Sequence, residues 1–105
     1  MSNNSKLEVA NTIRTQIGPV AFMLMGASNL LGGEDYLQFK IGSNVKKVTH
    51  VTVTLLPSDT YKLTFQRVWG TKVTMLNEFA GVYVDNLHDM IELHTGLFLS
   101  FSPRG

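Results

Sequence analysis

The chain has 105 residues, of which 44% are hydrophobic and 16% are charged, and it contains no cysteine. Nine Lys and Arg against eight Asp and Glu give a net charge of +1, without the strong basic excess typical of dedicated nucleic-acid binders. This length and composition predict a single domain over residues 1–105, with 1–4 and 102–105 frayed. The absence of cysteine excludes disulfides, thiol catalysis and zinc–thiolate sites.

The N-terminal sequence MSNNSKLEVAN has no apolar segment of the kind found in signal peptides. The longest apolar run, Val20 to Met25, is far shorter than the roughly 20 residues that cross a bilayer. We therefore expect a cytoplasmic protein.

Two helices are predicted at the start of the chain. Ser5 and Glu8 have the spacing of a capping box, and apolar residues then recur at helical intervals as far as Ile17. Gly18 ends this pattern, and Pro19 suits the first turn of a short second helix. That second helix is apolar on every side, which predicts that it is buried.

From Ala27 onward the apolar period changes to two, as expected of strands. Residues 79–83 are ambiguous between loop and strand, after which Asp85 and Asn86 are expected to cap a last helix that ends at Gly96. Short Gly- and Pro-containing connections indicate an antiparallel meander. The predicted strands are 28–31, 36–41, 46–56, 61–69 and 72–77.

We therefore predict an α+β fold: an antiparallel meander of four to five strands, with two N-terminal helices and one C-terminal helix packed on one face. Strand alternation assigns the side chains to the two faces of this sheet. The buried set is Leu37, Phe39, Ile41, Val51, Val53, Leu55, Tyr61, Leu63 and Phe65. The opposite set, which we call the open face, is Tyr36, Gln38, Lys40, His50, Thr52, Lys62, Thr64 and Gln66.

The open face has two interpretations. Antiparallel sheets ordinarily keep one solvated face, on which Thr, Lys and Gln are common. Alternatively, a sheet surface carrying Tyr36, His50 and Lys62 could bind a protein or a single-stranded nucleic acid.

Two secondary candidate surfaces lie elsewhere. Arg67 and Trp69 could anchor an interface, within a basic patch whose alternative role is to protect the sheet edge from pairing. The patch is Lys40, Lys46, Lys47, Lys62, Arg67 and Lys72. An acidic stripe on the last helix is either a solvated helix start or a docking surface for a basic partner; it is formed by Asp85, Asp89 and Glu92.

No motif indicates catalysis. His88 and His94 are six residues apart, which does not match the spacing of a metal-binding pair. The stretch GASNLLGG at 26–33 matches neither a dinucleotide fingerprint nor a P-loop, and no GxSxG sequence is present. We expect no enzyme activity, no cofactor and no metal.

The chain resembles, over nearly its whole length, a group of small proteins of unknown function encoded by bacteriophages, prophages and gut metagenomes. The stretches that carry the resemblance are NTIRTQIG (11–18), MGASNLLGGEDYLQFKIG (25–42), VTHVTVTLLPSDTYKLTFQRV (48–68) and VYVDNLHDMIELHTGL (82–97). This resemblance implies a single-domain accessory product of a phage or mobile element, located in the host cytosol.

The resemblance favours a protein that binds a host component. The leading hypothesis is a non-enzymatic inhibitor of a host or defence protein, similar to an anti-CRISPR protein, that uses the open face or the acidic stripe. The alternatives are a phage nucleic-acid-binding module and, third, a protein that sequesters a signalling nucleotide. A homodimer is a further possibility, since both the apolar C-terminal tail and the strand edges could pair.

Overall fold

The computed structural model of the protein describes residues 7–99. The chain order is two helices, five strands, a 3₁₀ turn at Val84–Asn86 and a last helix. The helices are α1 (Glu8–Ile17), α2 (Pro19–Met25) and α3 (Leu87–Thr95). The strands are β1 (Ser28–Gly32), β2 (Tyr36–Lys40), β3 (His50–Leu55), β4 (Tyr61–Trp69) and β5 (Lys72–Val82).

The strands form one antiparallel sheet in the order β1-β2-β3-β4-β5. This arrangement confirms the predicted α+β meander. One face of the sheet is covered by helices. Phe22 of α2 packs edge-on against Phe39, with ring centroids 5.1 Å apart. The ring centroid of His94 in α3 lies 5.4 Å from that of Phe65. The inward-facing residues are buried as predicted, with Leu55 partly so.

Helix α1 lies over the β1 and β2 end of the sheet. An added Cβ at Gly32 would come within 2.8 Å of the Ala10 Cβ, so a larger residue in β1 would force the helix away. The Tyr61 hydroxyl donates to Gln16 Oε1 at 2.6 Å and ties α1 to β4 as well. The predicted capping box cannot be assessed, because Ser5 lies outside the described residues.

The prediction that α2 is buried throughout is wrong. Ala21 and Met25 face the core, whereas Met23 is 62% exposed and Val20 is 42% exposed. One side of the helix is enough to cover the sheet, and the other side contacts solvent despite its apolar sequence.

Several strand boundaries differ from the prediction. Strand β3 begins at His50, so Lys46 and Lys47 belong to the connection that precedes it. Strand β5 extends to Val82 instead of ending at Asn77, although Gly81 has a φ of +71°. A glycine at positive φ is permitted in a strand where the ladder is irregular, and this explains why the sequence at 79–83 was ambiguous.

Register irregularities occur only beside the two outer strands. The β1–β2 ladder shifts between Ser28 and Leu31, where Asn29 has a φ of 54°. The β4–β5 ladder shifts twice, between Tyr61 and Leu63 and between Phe65 and Gln66. The two inner pairs, β2–β3 and β3–β4, keep a continuous register.

The start of α3 differs from the predicted cap. Asp85 lies in the 3₁₀ turn, and Asn86 occupies the N-cap position without a side-chain hydrogen bond to the helix. The predicted end is confirmed, since Gly96 adopts a left-handed conformation there. The tail then returns to the domain, with Leu99 buried.

Candidate functional site

The open face forms as predicted, in cross-strand rows. Gln38 lies opposite Thr52, which lies opposite Thr64, and Lys40 lies opposite His50. Most of these side chains are only partly exposed, and Thr64 is 7% exposed. The open face is therefore a partly buried polar layer.

Glu78 on β5 adds a negative charge to this face that sequence reasoning missed. It lies opposite Thr64, accepts a hydrogen bond from the Thr64 hydroxyl at 3.3 Å, and forms an ion pair with Lys62 at 3.8 Å. Lys62 therefore has a carboxylate partner on the open face.

The open face also holds His50 as a neutral imidazole. Its burial, and secondarily the positive charge of Lys40, lower the pKa of His50 below the usual histidine value. The Thr49 hydroxyl lies 2.8 Å from His50 Nδ1, close enough to bond with it. These contacts favour a structural role for His50 over that of a cation available to a ligand.

The far end of β4 is arranged differently. After the irregularity at Phe65 and Gln66, Arg67 lies opposite Thr74 and Trp69 lies opposite Lys72. Strand alternation places Arg67 and Trp69 on the side of the sheet where Phe65 enters the core. The end of the β4–β5 hairpin therefore belongs to the same face of the sheet, outside the area that the helices cover.

A groove of about 750 Å³ lies at this corner, between the hairpin and the connection from β2 to β3. We call it the hairpin groove. Its lining combines residues from three separate parts of the chain: Lys40, Ile41, Gly42, Ser43, Asn44, Lys47, Val48, Thr49, Arg67, Trp69, Lys72 and Thr74.

The connection that forms one wall is fixed by the Asn44 side chain. Its amide nitrogen donates to the Gly42 carbonyl at 2.8 Å and to the Val48 carbonyl at 2.7 Å. Its amide oxygen accepts from the Val48 N–H at 3.0 Å. With both donors and the acceptor in use, Asn44 fixes the turn at residues 42–48, in which Lys47 has a φ of 62°.

The opposite wall is attached to that connection by two further bonds. Arg67 Nε donates to the Lys47 carbonyl at 3.1 Å, and the Val68 N–H donates to Thr49 Oγ1 at 2.7 Å. The first bond uses only one of the five N–H groups of the guanidinium. The terminal nitrogens of Arg67 make no hydrogen bond within residues 7–99, so they remain available to a ligand.

Charge distinguishes the hairpin groove from the open face. Four of its lining residues, Lys40, Lys47, Arg67 and Lys72, are basic, and the lining contains no Asp or Glu. Within residues 7–99, none of the four forms an ion pair. The groove therefore concentrates positive charge in a protein whose net charge is only +1.

The three residues of the acidic stripe lie in different environments. Asp85 lies in the 3₁₀ turn before α3. Asp89 is exposed on the helix itself. Glu92 is partly buried, and its Oε2 accepts a hydrogen bond from the Leu99 backbone N–H at 2.9 Å. Glu92 therefore fixes the C-terminal tail.

His94 belongs to the core side of α3. Its ring stacks on Phe79 with centroids 4.4 Å apart and is tilted against Phe65. Burial, followed by the charge of Lys46, lowers the pKa of His94, so the neutral ring is the favoured form.

Within residues 7–99, no helix is long and apolar enough to span a membrane. The same residues include no group of three or more His, Asp or Glu side chains placed to hold a metal ion. No family model, curated protein or solved structure matches the chain significantly.

Sequence reasoning grouped the four basic residues of the groove in one basic patch around Trp69, although Lys40 was also assigned to the open face. The patch further included Lys46 and Lys62, which do not line the groove. Asn44 and Thr49, which build the walls, were missed as site residues. The Gly42-Ser43-Asn44 turn was the signal for Asn44, since Asn side chains commonly bond to nearby backbone in turns.

Proposed function

We propose that the protein is a nucleic-acid-binding module and that the hairpin groove holds the phosphate backbone. The observation that carries this proposal is the groove lining, which combines four basic residues with no carboxylate. Phosphate oxygens are the acceptors that Lys and Arg bind best, and Arg67 has free terminal N–H groups for bidentate contact.

The low net charge does not oppose this proposal. Electrostatic attraction over a distance depends on the whole charge distribution, whereas phosphate contacts depend on the cations within a few ångströms. Because the groove cations have no ion-pair partners within residues 7–99, phosphates do not have to displace a carboxylate. We therefore expect binding of moderate affinity that weakens steeply with salt.

Salt titration of oligonucleotide binding tests the proposal. Four neutralised phosphates correspond to a slope of log K against log salt of about −3 to −4. Lys47→Gln and Lys72→Gln each remove one groove cation, and each should reduce that slope by about one. Lys46→Gln is the matched control, because Lys46 is the neighbour of Lys47 but does not line the groove.

Two results would contradict the proposal. The first is the absence of oligonucleotide binding at low salt. The second is equal loss of affinity in Lys46→Gln and the two groove variants, because the groove would then contribute nothing specific.

Inhibition of a host or defence protein stays a prediction, and so does the phage origin on which it rests. An acidic protein surface is the competing occupant of the hairpin groove. Capture of binding partners from lysate with and without nuclease distinguishes a nucleic acid from a protein partner, because a protein partner must remain bound after nuclease treatment.

A further inference from the structure

We infer that the nucleic acid bound by the hairpin groove is single-stranded and that Trp69 stacks on one of its bases. This inference rests on the proposed function and adds a second kind of contact to it. The phosphate contacts come from the groove cations, and the base contact comes from the indole ring at the hairpin tip.

Trp69 is held in place although its side chain contacts solvent. It forms the last cross-strand pair of the hairpin, opposite Lys72, and the two-residue turn that follows has Gly70 at a φ of +64°. A glycine at positive φ is what a tight hairpin turn requires. The backbone that carries the ring is therefore well defined, and the ring itself is 78% exposed.

Packing in the hydrophobic core does not explain why a tryptophan occupies position 69. The ring takes no part in the buried cluster, and a two-residue hairpin turn does not require an aromatic flanking residue. Trp69 instead lines the groove together with Arg67 and Lys72. An apolar flat surface beside two cations matches a nucleotide, which has a flat base attached to an anionic backbone.

Stacking on Trp69 requires an unpaired base, so we expect the groove to bind single strands in preference to duplexes. In a duplex the bases are paired and stacked on one another, so a side chain at the rim meets phosphates and groove edges instead of a base face. The groove volume of about 750 Å³ is within the usual 300–1,000 Å³ of small-ligand sites. It therefore suits a short segment of unstacked nucleotides.

The intrinsic fluorescence of the protein reports on this contact, because Trp69 is its only tryptophan. We would titrate the intact protein with a single-stranded oligonucleotide, with the same sequence as a duplex, and with inorganic polyphosphate. The expected result is quenching by the single strand and binding of polyphosphate without quenching. Quenching by the duplex equal to that by the single strand would overturn the inference.

Two substitutions of Trp69 distinguish the effect of aromatic stacking from that of an apolar side chain alone. Trp69→Leu keeps an apolar side chain but removes the aromatic face, and it should weaken single-strand binding by about 5- to 100-fold. Trp69→Phe should restore most of the affinity. Neither should change the salt slope, since no cation is lost. Val73→Leu, on the other face of the hairpin, is the matched control and should bind like the wild type.

Failure of the inference can be told from failure of the proposed function. If Trp69→Leu binds the single strand as tightly as the wild type while Lys72→Gln still weakens it, the stacking inference is wrong and the phosphate groove remains. If polyphosphate, single strand and duplex all fail to bind at low salt, both are wrong. Thermal unfolding of each variant checks that the exposed position leaves the fold intact.

Discussion

Strand β4 passes through two environments along its length. From Tyr61 to Phe65 its inward side chains are buried beneath the helices, and Leu63 and Phe65 have no exposed surface. From Arg67 to Trp69 the same side of the strand lines the hairpin groove and contacts solvent. The ladder irregularity between Phe65 and Gln66 separates the two halves.

This difference shows how a small sheet can supply both a core and a site on one face. The helices cover only part of the sheet, and the chain places apolar side chains under them and basic side chains beyond them. The covered half should then control stability and the uncovered half binding. Substitutions in each half test that division.

The largest expected effect comes from truncating the covered half. Phe65→Ala removes a fully buried ring that packs on Phe79 and His94, and it should lower the free energy of unfolding by about 3–5 kcal/mol. The comparison is Trp69→Ala in the uncovered half, where the side chain is 78% exposed, and it should change the free energy of unfolding by no more than about 0.5 kcal/mol. Urea unfolding measures both, and similar losses would contradict the division.

Asn44 connects the two halves, because it shapes the groove wall and bonds the Val48 backbone beside the buried Val48 side chain. Asn44→Ala should therefore lower the free energy of unfolding by about 1–3 kcal/mol and also weaken oligonucleotide binding. Asn44→Asp keeps the acceptor for the Val48 N–H but places a carboxylate oxygen against the Gly42 and Val48 carbonyl oxygens, so it should lose at least as much stability. Loss of stability with full binding would show that the groove does not depend on this wall.

His94 gives the covered half a dependence on pH. Its pKa is lowered in the folded protein, so the unfolded chain takes up a proton first as the pH falls below about 6.5. The stabilisation from neutral His94 is complete above that pH and is lost as the pH falls toward the folded value. The stability difference between wild type and His94→Phe should be constant above pH 7 and change below 6.5. A difference independent of pH would contradict this.

The smallest effect is expected on the open face. Lys62 and Glu78 are 3.8 Å apart and both partly exposed, so their coupling should contribute only about 0–1 kcal/mol. A double-mutant cycle with Lys62→Met and Glu78→Gln measures it. A coupling well above this range would show that the polar layer contributes to stability like the covered face.

The buried face could be predicted from sequence because strand alternation is a local property. Val51, Val53 and Leu63 each sit between polar neighbours, and a period of two fixes their side of the sheet. The same reasoning placed Tyr36 and Gln38 on the open face. It could not place Glu78, because the irregularities in the β4–β5 ladder change which side of β5 each residue takes.

The hairpin groove could be predicted only in part. The basic patch around Trp69 could be proposed from neighbouring strands, but the concave shape that holds Lys40, Lys47 and Lys72 depends on the connection from β2 to β3. That shape is set by Asn44. The helix cap predicted from Asp85 and Asn86 failed similarly, since an intervening 3₁₀ turn changes the backbone at that point.

The irregular outer ladders of the sheet also affect self-association. An incoming strand needs a continuous row of free backbone groups, and bulges twist an edge so that it cannot supply one. Both outer strands, β1 and β5, carry such shifts, while the inner pairs do not. We therefore expect both edges of the sheet to be poor templates for strand addition.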